Sequence, residues 1–231
     1  MAKTLWIKRA DFKNWIYQEK KDIEDGFYIY PKRKFLFSLL AILVLIWAIF
    51  RVWMASSLET TKSWEYQIVT LAGNIRTPVL DSLFSSLTFL GSKYFIVGAF
   101  LILAVALLKN RRKRAAATVF LTLIGSFLLI FIFKNIFNRS RPFGCLDSND
   151  CFSFPSGHAT LSFYFYGMLF YLIIRFLKPK GKAAWLIGLS LLVLIGLVAL
   201  SRIYLGMHFP TDIIGGFLLG GIWLIIAMVL I

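Results

Sequence analysis

A chain of 231 residues that is 59% hydrophobic and only 16% charged is too apolar for a soluble domain, where about 45–50% apolar and about 25% charged is usual. Its mean hydropathy of +0.75 marks an integral membrane protein, so length does not convert into a count of soluble domains. The formal charge of +15 would suggest nucleic acid in a soluble chain. Here Lys and Arg cluster in short loops between apolar runs, which reads as membrane topology and argues against nucleic-acid binding.

In chain order, residues 1–34 are charged and aromatic-rich, with Trp6, Phe12, Trp15 and Tyr17 among them. They read as a cytoplasmic tail lying on lipid headgroups, and the absence of a cleavage pattern makes the next apolar run an uncleaved anchor. Residues 35–54 form the first expected span, about twenty residues for a core of about 30 Å. Arg51 near its far end is placed to snorkel. Residues 55–92 mix apolar side chains with Trp64, Tyr66, Arg76, Pro78 and Asp81. They are expected to form short interfacial helices that wall off a lateral entrance for lipid.

The second span is expected at residues 93–108, the third at 115–137, the fourth at 159–177, the fifth at 183–200 and the sixth at 213–231. Basic runs at 109–114 and 178–182 mark the inner side. Both termini are then cytoplasmic, and the loops at 138–155 and 201–212 are outside. The expected fold class is an all-α integral membrane protein with six transmembrane helices, and short interfacial helices between the first and second. Its two parts are the tail, residues 1–34, and a membrane domain, residues 35–231. Gly216 and Gly220 make a GxxxG pattern that signals helix packing. Cys145 and Cys151 share an outer loop and would form a small disulfide in an oxidising compartment. Two cysteines without further ligands make a zinc site improbable.

The chain has two histidines, and both lie in polar segments on the outer side. Around the second, Arg202, His208 and Asp212 sit next to hydrocarbon, which is costly for ionisable groups without a partner or a function. A helix starting at Pro210 would present free N–H groups and a positive dipole end to an anion. Arg202 adds a donor fork that matches phosphate oxygens. The other histidine closes Phe154-Pro-Ser-Gly-His158, with Lys134, Arg139, Arg141 and Pro142 just upstream. Loops at one membrane depth thus bring Lys134, Arg141, Ser156, Gly157, His158, Arg202, His208 and Asp212 toward a phosphate cradle with acid–base groups. Arg139 reads as a headgroup contact or a solvated charge. Asp147 and Asp150 read as loop carboxylates, and Tyr204 and Met207 as packing.

Lys134-x6-Arg141-Pro142, Pro155-Ser-Gly-His158 and Ser201-Arg202-x5-His208-x3-Asp212 stand complete and in order. Together they resemble the tripartite signature of the type 2 phosphatidic acid phosphatase superfamily, which includes membrane lipid phosphatases, glucose-6-phosphatase and vanadium-dependent haloperoxidases. The resemblance covers roughly residues 55–231. It implies that His208 attacks phosphorus to give a phosphohistidine, and that Asp212 holds its tautomer. It further implies that His158 protonates the leaving oxygen and then activates water. Lys134, Arg141 and Arg202, with the Ser156 hydroxyl and the Gly157 N–H, would hold the non-bridging oxygens. No metal or other cofactor is implied.

The chain looks like the compact bacterial subgroup that includes phosphatidylglycerophosphate and undecaprenyl pyrophosphate phosphatases. Its expected partner is a phospholipid or prenyl-phosphate substrate in the plasma membrane. Other readings are a broad phosphatidic acid phosphatase, an anion transporter and a haloperoxidase. A transporter should carry charge deep in several spans, whereas only Lys134 comes close here. Known haloperoxidases of this branch are soluble, against the hydropathy of this chain.

Overall fold

Backbone that crosses hydrocarbon must pair its own N–H and C=O groups, which favours helices. In the computed structural model, which describes residues 33–56, 58–144, 151–179 and 181–231, the regular structure is helical, with one isolated bridge between Ser140 and Phe152. The described helices are α1 (Arg33–Ser56), α2 (Leu58–Asn74), α3 (Pro78–Phe89), α4 (Lys93–Lys109), α5 (Lys113–Phe137), α6 (Gly157–Leu177), α7 (Lys182–Tyr204) and α8 (Pro210–Leu230).

Their boundaries follow local chemistry. Pro78 sits in the first turn of α3, where its missing N–H costs nothing, and the Thr77 hydroxyl caps the Leu80 N–H. Ser92 caps α4 in the same way through the Phe95 N–H. Asn138 and Lys178 end α5 and α6 in the left-handed conformation.

Among the described residues, five stretches are long and apolar enough to cross a membrane: Pro78–Lys109, Lys113–Phe137, Gly157–Leu177, Lys182–Tyr204 and Pro210–Leu230. Phe35–Arg51 is a shorter apolar helix. The expected second span, residues 93–108, is therefore only part of its stretch. α4 has 17 residues and extends about 25 Å, short of a core of about 30 Å. It reaches full length together with α3, from which residues 90–92 separate it. The expected short helices between residues 55 and 92 are present as α2 and α3, but α3 is apolar enough to join the α4 stretch.

The spans turn large apolar side chains outward. Ile102, Leu121, Phe131 and Trp185 are all highly exposed, an arrangement suited to lipid rather than water. The interior is built around α6 and α8. Tyr164, Met168, Phe100 and Val119 are fully buried there. The Tyr164 hydroxyl pairs with Thr122, and the Trp223 indole N–H donates to the Thr122 carbonyl.

Gly216 and Gly220 let α8 approach α6 closely. A Cβ on Gly216 would lie 2.8 Å from the Ser156 carbonyl oxygen, and one on Gly220 would lie 2.6 Å from that of Thr160. The obstacles are backbone atoms, which have nowhere to go. Gly220→Ala is therefore expected to destabilise the protein by about 1–3 kcal/mol, the usual overpacking cost, read as a lower melting temperature in detergent. An unchanged melting temperature would mean that the two helices do not meet at Gly220.

Candidate active site

α7 ends at Tyr204, and the chain turns back on itself before α8. Gly206 occupies the left-handed region at φ +68, which a glycine adopts without steric penalty. The Met207 and His208 N–H groups then donate to the Arg202 carbonyl at 2.9 and 3.3 Å. This turn drives the His208 ring inward, where it is 2% exposed. Its Nδ1 lies 3.5 Å from Asp212 Oδ2, wider than a tight hydrogen bond. Its Nε2 lies 3.4 Å from an Arg141 terminal nitrogen. A carboxylate opposite Nδ1 favours a ring proton there, which would leave the Nε2 lone pair facing the Arg141 side.

Asp212 is completely buried. Its Oδ2 accepts the Phe209 N–H at 2.8 Å, and its carbonyl accepts the Ser156 N–H at 3.1 Å. That last bond joins the start of α6 to the start of α8. Ser156 also caps α6, its hydroxyl accepting from the Ala159 N–H at 3.5 Å, while its own hydroxyl proton can still be donated. The Gly157 and His158 N–H groups lie at the open end of α6, where helix geometry offers no intrahelical acceptor.

His158 lies within electrostatic range of Arg202, His208, Arg141 and Lys134. Gly91 leaves room beside the ring: a Cβ there would come within 3.4 Å of His158 Cδ2 and 2.6 Å of the Ser162 hydroxyl. Arg141 and Arg202 are 4% and 7% exposed, so both guanidinium groups face a site shielded from water. Arg141 donates to the Met207 carbonyl at 2.7 Å, and Arg202 donates to Thr88 at 3.0 Å. Lys134 sits in the last turn of α5.

Two expectations change. The α8 N-terminus is not an open anion site. The Thr211 N–H donates to Glu65 Oε1 at 3.1 Å and the Phe209 N–H to Asp212, so the protein's own carboxylates fill it. Burial explains this, because orphan N–H groups in a dry interior need acceptors.

Nor is Arg139 a solvated charge. One terminal nitrogen donates to Asp212 Oδ1 at 2.6 Å and to the Thr211 hydroxyl at 2.7 Å. The other pairs with Glu65 Oε2, and the guanidinium lies 4.4 Å over the Phe209 ring. Arg139 and Arg141 flank Ser140, whose pairing with Phe152 extends the chain. In extended backbone, residues two apart share a face.

Glu65 on α2 is not among the residues that sequence reasoning singles out. Its signal is scarcity: beyond residue 34 the acidic residues are Glu59, Glu65, Asp81, Asp147, Asp150 and Asp212. Asp81 instead pairs with Arg76 at 2.9 Å and accepts the Tyr204 hydroxyl at 2.9 Å, tying α3 to the end of α7. Tyr204 stacks on Phe84, the packing role expected of it. Cys145, Asp147 and Asp150 lie outside the described residues, and with Cys145 the expected bridge to Cys151.

The family model described as the PAP2 superfamily matches residues 115–231. Phosphatidylglycerophosphatase B of Bacillus subtilis is 33% identical over 150 residues, covering 63% of this chain and 72% of that protein. An undecaprenyl-diphosphatase of Sulfolobus acidocaldarius is 25% identical over 195 residues, covering 81% of this chain and 87% of that protein. Among solved structures, the transmembrane PAP2-type phosphatidylglycerolphosphate phosphatase of Bacillus subtilis is similar with a TM-score of 0.74 and 28% identity, over 81% of this chain and 93% of its own. Aquifex aeolicus LpxE is similar with a TM-score of 0.52 and 28% identity, over 70% and 92%.

Burial pushes His208 down from 6.5 to about 4; Asp212 opposes this, and Arg202 and Arg141 add to it. A folded value below the unfolded one means that acid favours unfolding. The contribution is intact above pH 6.5 and is lost progressively as pH falls toward 4. With two histidines in the chain, 15N-imidazole NMR should resolve His208 as neutral at about pH 6, titrating only well below that. Titration at the ordinary value would indicate a hydrated ring.

Proposed function

The chain belongs to the PAP2 superfamily and is a membrane lipid phosphatase; on that basis we propose that it removes a terminal phosphoryl group from phosphatidylglycerophosphate or undecaprenyl pyrophosphate through a phosphohistidine at His208. The observation that carries the mechanism is the setting of one ring. Its Nδ1 is turned to the Asp212 carboxylate and its Nε2 to the Arg141 guanidinium.

In the first step the Nε2 lone pair attacks phosphorus, and the P–O bond to the lipid breaks as His158 gives its proton to the departing oxygen. Asp212 stabilises the charge that develops on the His208 ring. In the second step His158 takes a proton from water, the oxygen attacks phosphorus, the P–N bond breaks, and phosphate leaves. Lys134, Arg141 and Arg202, with the Ser156 hydroxyl and the Gly157 N–H, neutralise the non-bridging oxygens throughout. Each step balances with histidine and water alone, without a metal ion.

The substrate assignment draws on the two curated relatives, one named for phosphatidylglycerophosphate and the other for undecaprenyl diphosphate. A broad phosphatidic acid phosphatase would use the same cradle on a shorter headgroup. For topology we infer six spans, with α1 as the first, after a cytoplasmic tail at residues 1–34. The basic runs at 109–114 and 178–182 and the site loops alternate along the chain, which supports cytoplasmic termini and an extracytoplasmic site.

The test is phosphate release from purified protein in detergent with a chelator present, comparing phosphatidylglycerophosphate, undecaprenyl pyrophosphate and phosphatidic acid. Release should survive chelation and disappear in His208→Ala, and the relative rates should name the substrate. Near-normal turnover by His208→Ala would remove His208 as nucleophile. Arg202→Lys should lower kcat by about 10²-fold, comparable to losing one donor to a developing oxyanion, because an ammonium cannot form the guanidinium fork. A mild effect would leave Arg202 as a structural tie to Thr88.

A further inference from the structure

Two fully buried carboxylates share one guanidinium behind His208, and only one of the two belongs to the three motifs. Asp212 and Glu65 are both 0% exposed. Arg139 binds Asp212 Oδ1 with one terminal nitrogen and Glu65 Oε2 with the other. Glu65 Oε1 in turn receives the Thr211 N–H and hydroxyl. We propose that Arg139 and Glu65 are positioning residues for the phosphatase reaction: Glu65 holds Arg139, and Arg139 holds the Asp212 carboxylate at the angle and charge that His208 requires. The inference rests on the reading of His208 as the nucleophile. The match to the family model begins at residue 115, so Glu65 contributes from outside it.

Energetics point away from a merely structural role. A buried ion network adds little net stability over apolar side chains of similar volume, because desolvation offsets much of the attraction. Docking α2 onto α8 does not need a charge. The charge sits instead on the oxygen opposite the one that faces His208. Asp212 Oδ2 is held by the Phe209 N–H and faces His208 Nδ1, but contacts on one oxygen alone leave the carboxylate room to rotate about its terminal bond. Arg139 on Oδ1 removes that freedom.

The pair also sorts the arginines. Arg139 and Arg141 emerge from one short extended segment, and both are suited to phosphate. Glu65 and Asp212 hold Arg139, while Arg141 faces Nε2. Without Glu65, the Arg139 guanidinium would act wholly on Asp212 or turn toward the substrate. Either change weakens the support of the imidazolium more than it weakens lipid binding.

The groups facing His208 are Asp212 from α8, Arg141 from the segment after α5, Arg202 from α7 and His158 from α6, with Arg139 and Glu65 acting through Asp212. Removing the Glu65 charge makes Asp212 a weaker partner for a protonated His208, so the acid limb of kcat/KM moves to lower pH. Removing Glu65 and Arg139 charges together frees Asp212 to support the imidazolium, and the limb moves to higher pH.

The experiment compares wild type, Glu65→Gln, Arg139→Lys, the double variant Glu65→Gln/Arg139→Gln and His208→Ala, as full-length protein in detergent with the lipid that wild type hydrolyses. The Glu65→Gln amide keeps an acceptor for the Thr211 N–H, and Arg139→Lys keeps the positive charge without the fork. Each single variant should lose about 10–100-fold in kcat, as supporting residues behind a catalytic group commonly do, with KM little changed. The acid limb should shift in opposite directions in Glu65→Gln and the double variant.

Melting temperatures separate this from unfolding, and Arg139→Lys carries the kcat comparison if Glu65→Gln does not fold. Unchanged kcat in a folded single variant overturns the proposal. So does a kcat loss that follows melting temperature with an unmoved acid limb, because that describes a structural brace. Activity retained in His208→Ala would overturn the underlying nucleophile reading instead, and the control keeps the two failures apart.

Discussion

The buried carboxylate of Asp212 is the constraint on which the outer end of the bundle depends. An isolated carboxylate taken out of water is prohibitively unfavourable, so its environment must supply donors. Here they come from separate parts of the chain: the Phe209 N–H within α8's own entry, Arg139 from the segment after α5, and the His208 ring from the turn after α7. Its backbone carbonyl takes the Ser156 N–H at the start of α6. Satisfying one anion and its own backbone thus brings together segments that are far apart in sequence. Pairing Asp212 draws the segments that carry the two histidines together, and the side chains proposed to bind phosphate arrive with them.

Rigid helices carry this arrangement. Gly216 and Gly220 bring α8 against the Ser156 and Thr160 carbonyls of α6, so the starts of the two helices have little freedom to slide. His158 enters from the first turn of α6 and Asp212 from the first turn of α8. On the opposite side, α3 is tied to the end of α7 through Asp81 and Tyr204, and Thr88 holds Arg202. Side chains fixed on helix ends keep their geometry better than side chains on free loops, as a charge-stabilising site requires.

Much of this is legible in the sequence because it rests on local rules. Apolar runs of span length, basic runs between them and the GxxxG spacing each have a physical cause that acts along the chain. The three motifs single out His158, His208 and the cations expected around them without knowledge of packing. Glu65 escapes because its partners, Arg139 and Thr211, lie 74 and 146 residues away. Arg139 escapes for a related reason: an arginine in an outer loop looks solvated until a buried acid is found to face it. The α8 N-terminus reads as open because its N–H groups are orphaned by helix geometry, and only the fold reveals that Glu65 fills that place. The span at residues 93–108 stands alone in the sequence because the apolar residues before it are dispersed among polar ones, whereas the stretch of span-level hydropathy begins at Pro78.

Charge placement ties these strands together. Lys134, Arg141 and Arg202 lie within electrostatic range of His158, while Asp212 and Glu65 are bound to Arg139. Among the described residues, the expected cradle thus carries an excess of positive charge in a poorly hydrated setting, where such charge acts strongly. A dianionic phosphoryl group complements that excess, and a neutral imidazole approaches it without the repulsion an anionic nucleophile would meet. Asp212, held back by Arg139, stands behind the ring and away from the phosphate oxygens. In the proposed mechanism it would from there stabilise the positive charge that forms on the ring without adding negative charge at phosphorus. With the His208 ring between Asp212 and Arg141, the proposed mechanism would let a carboxylate assist attack on another anion.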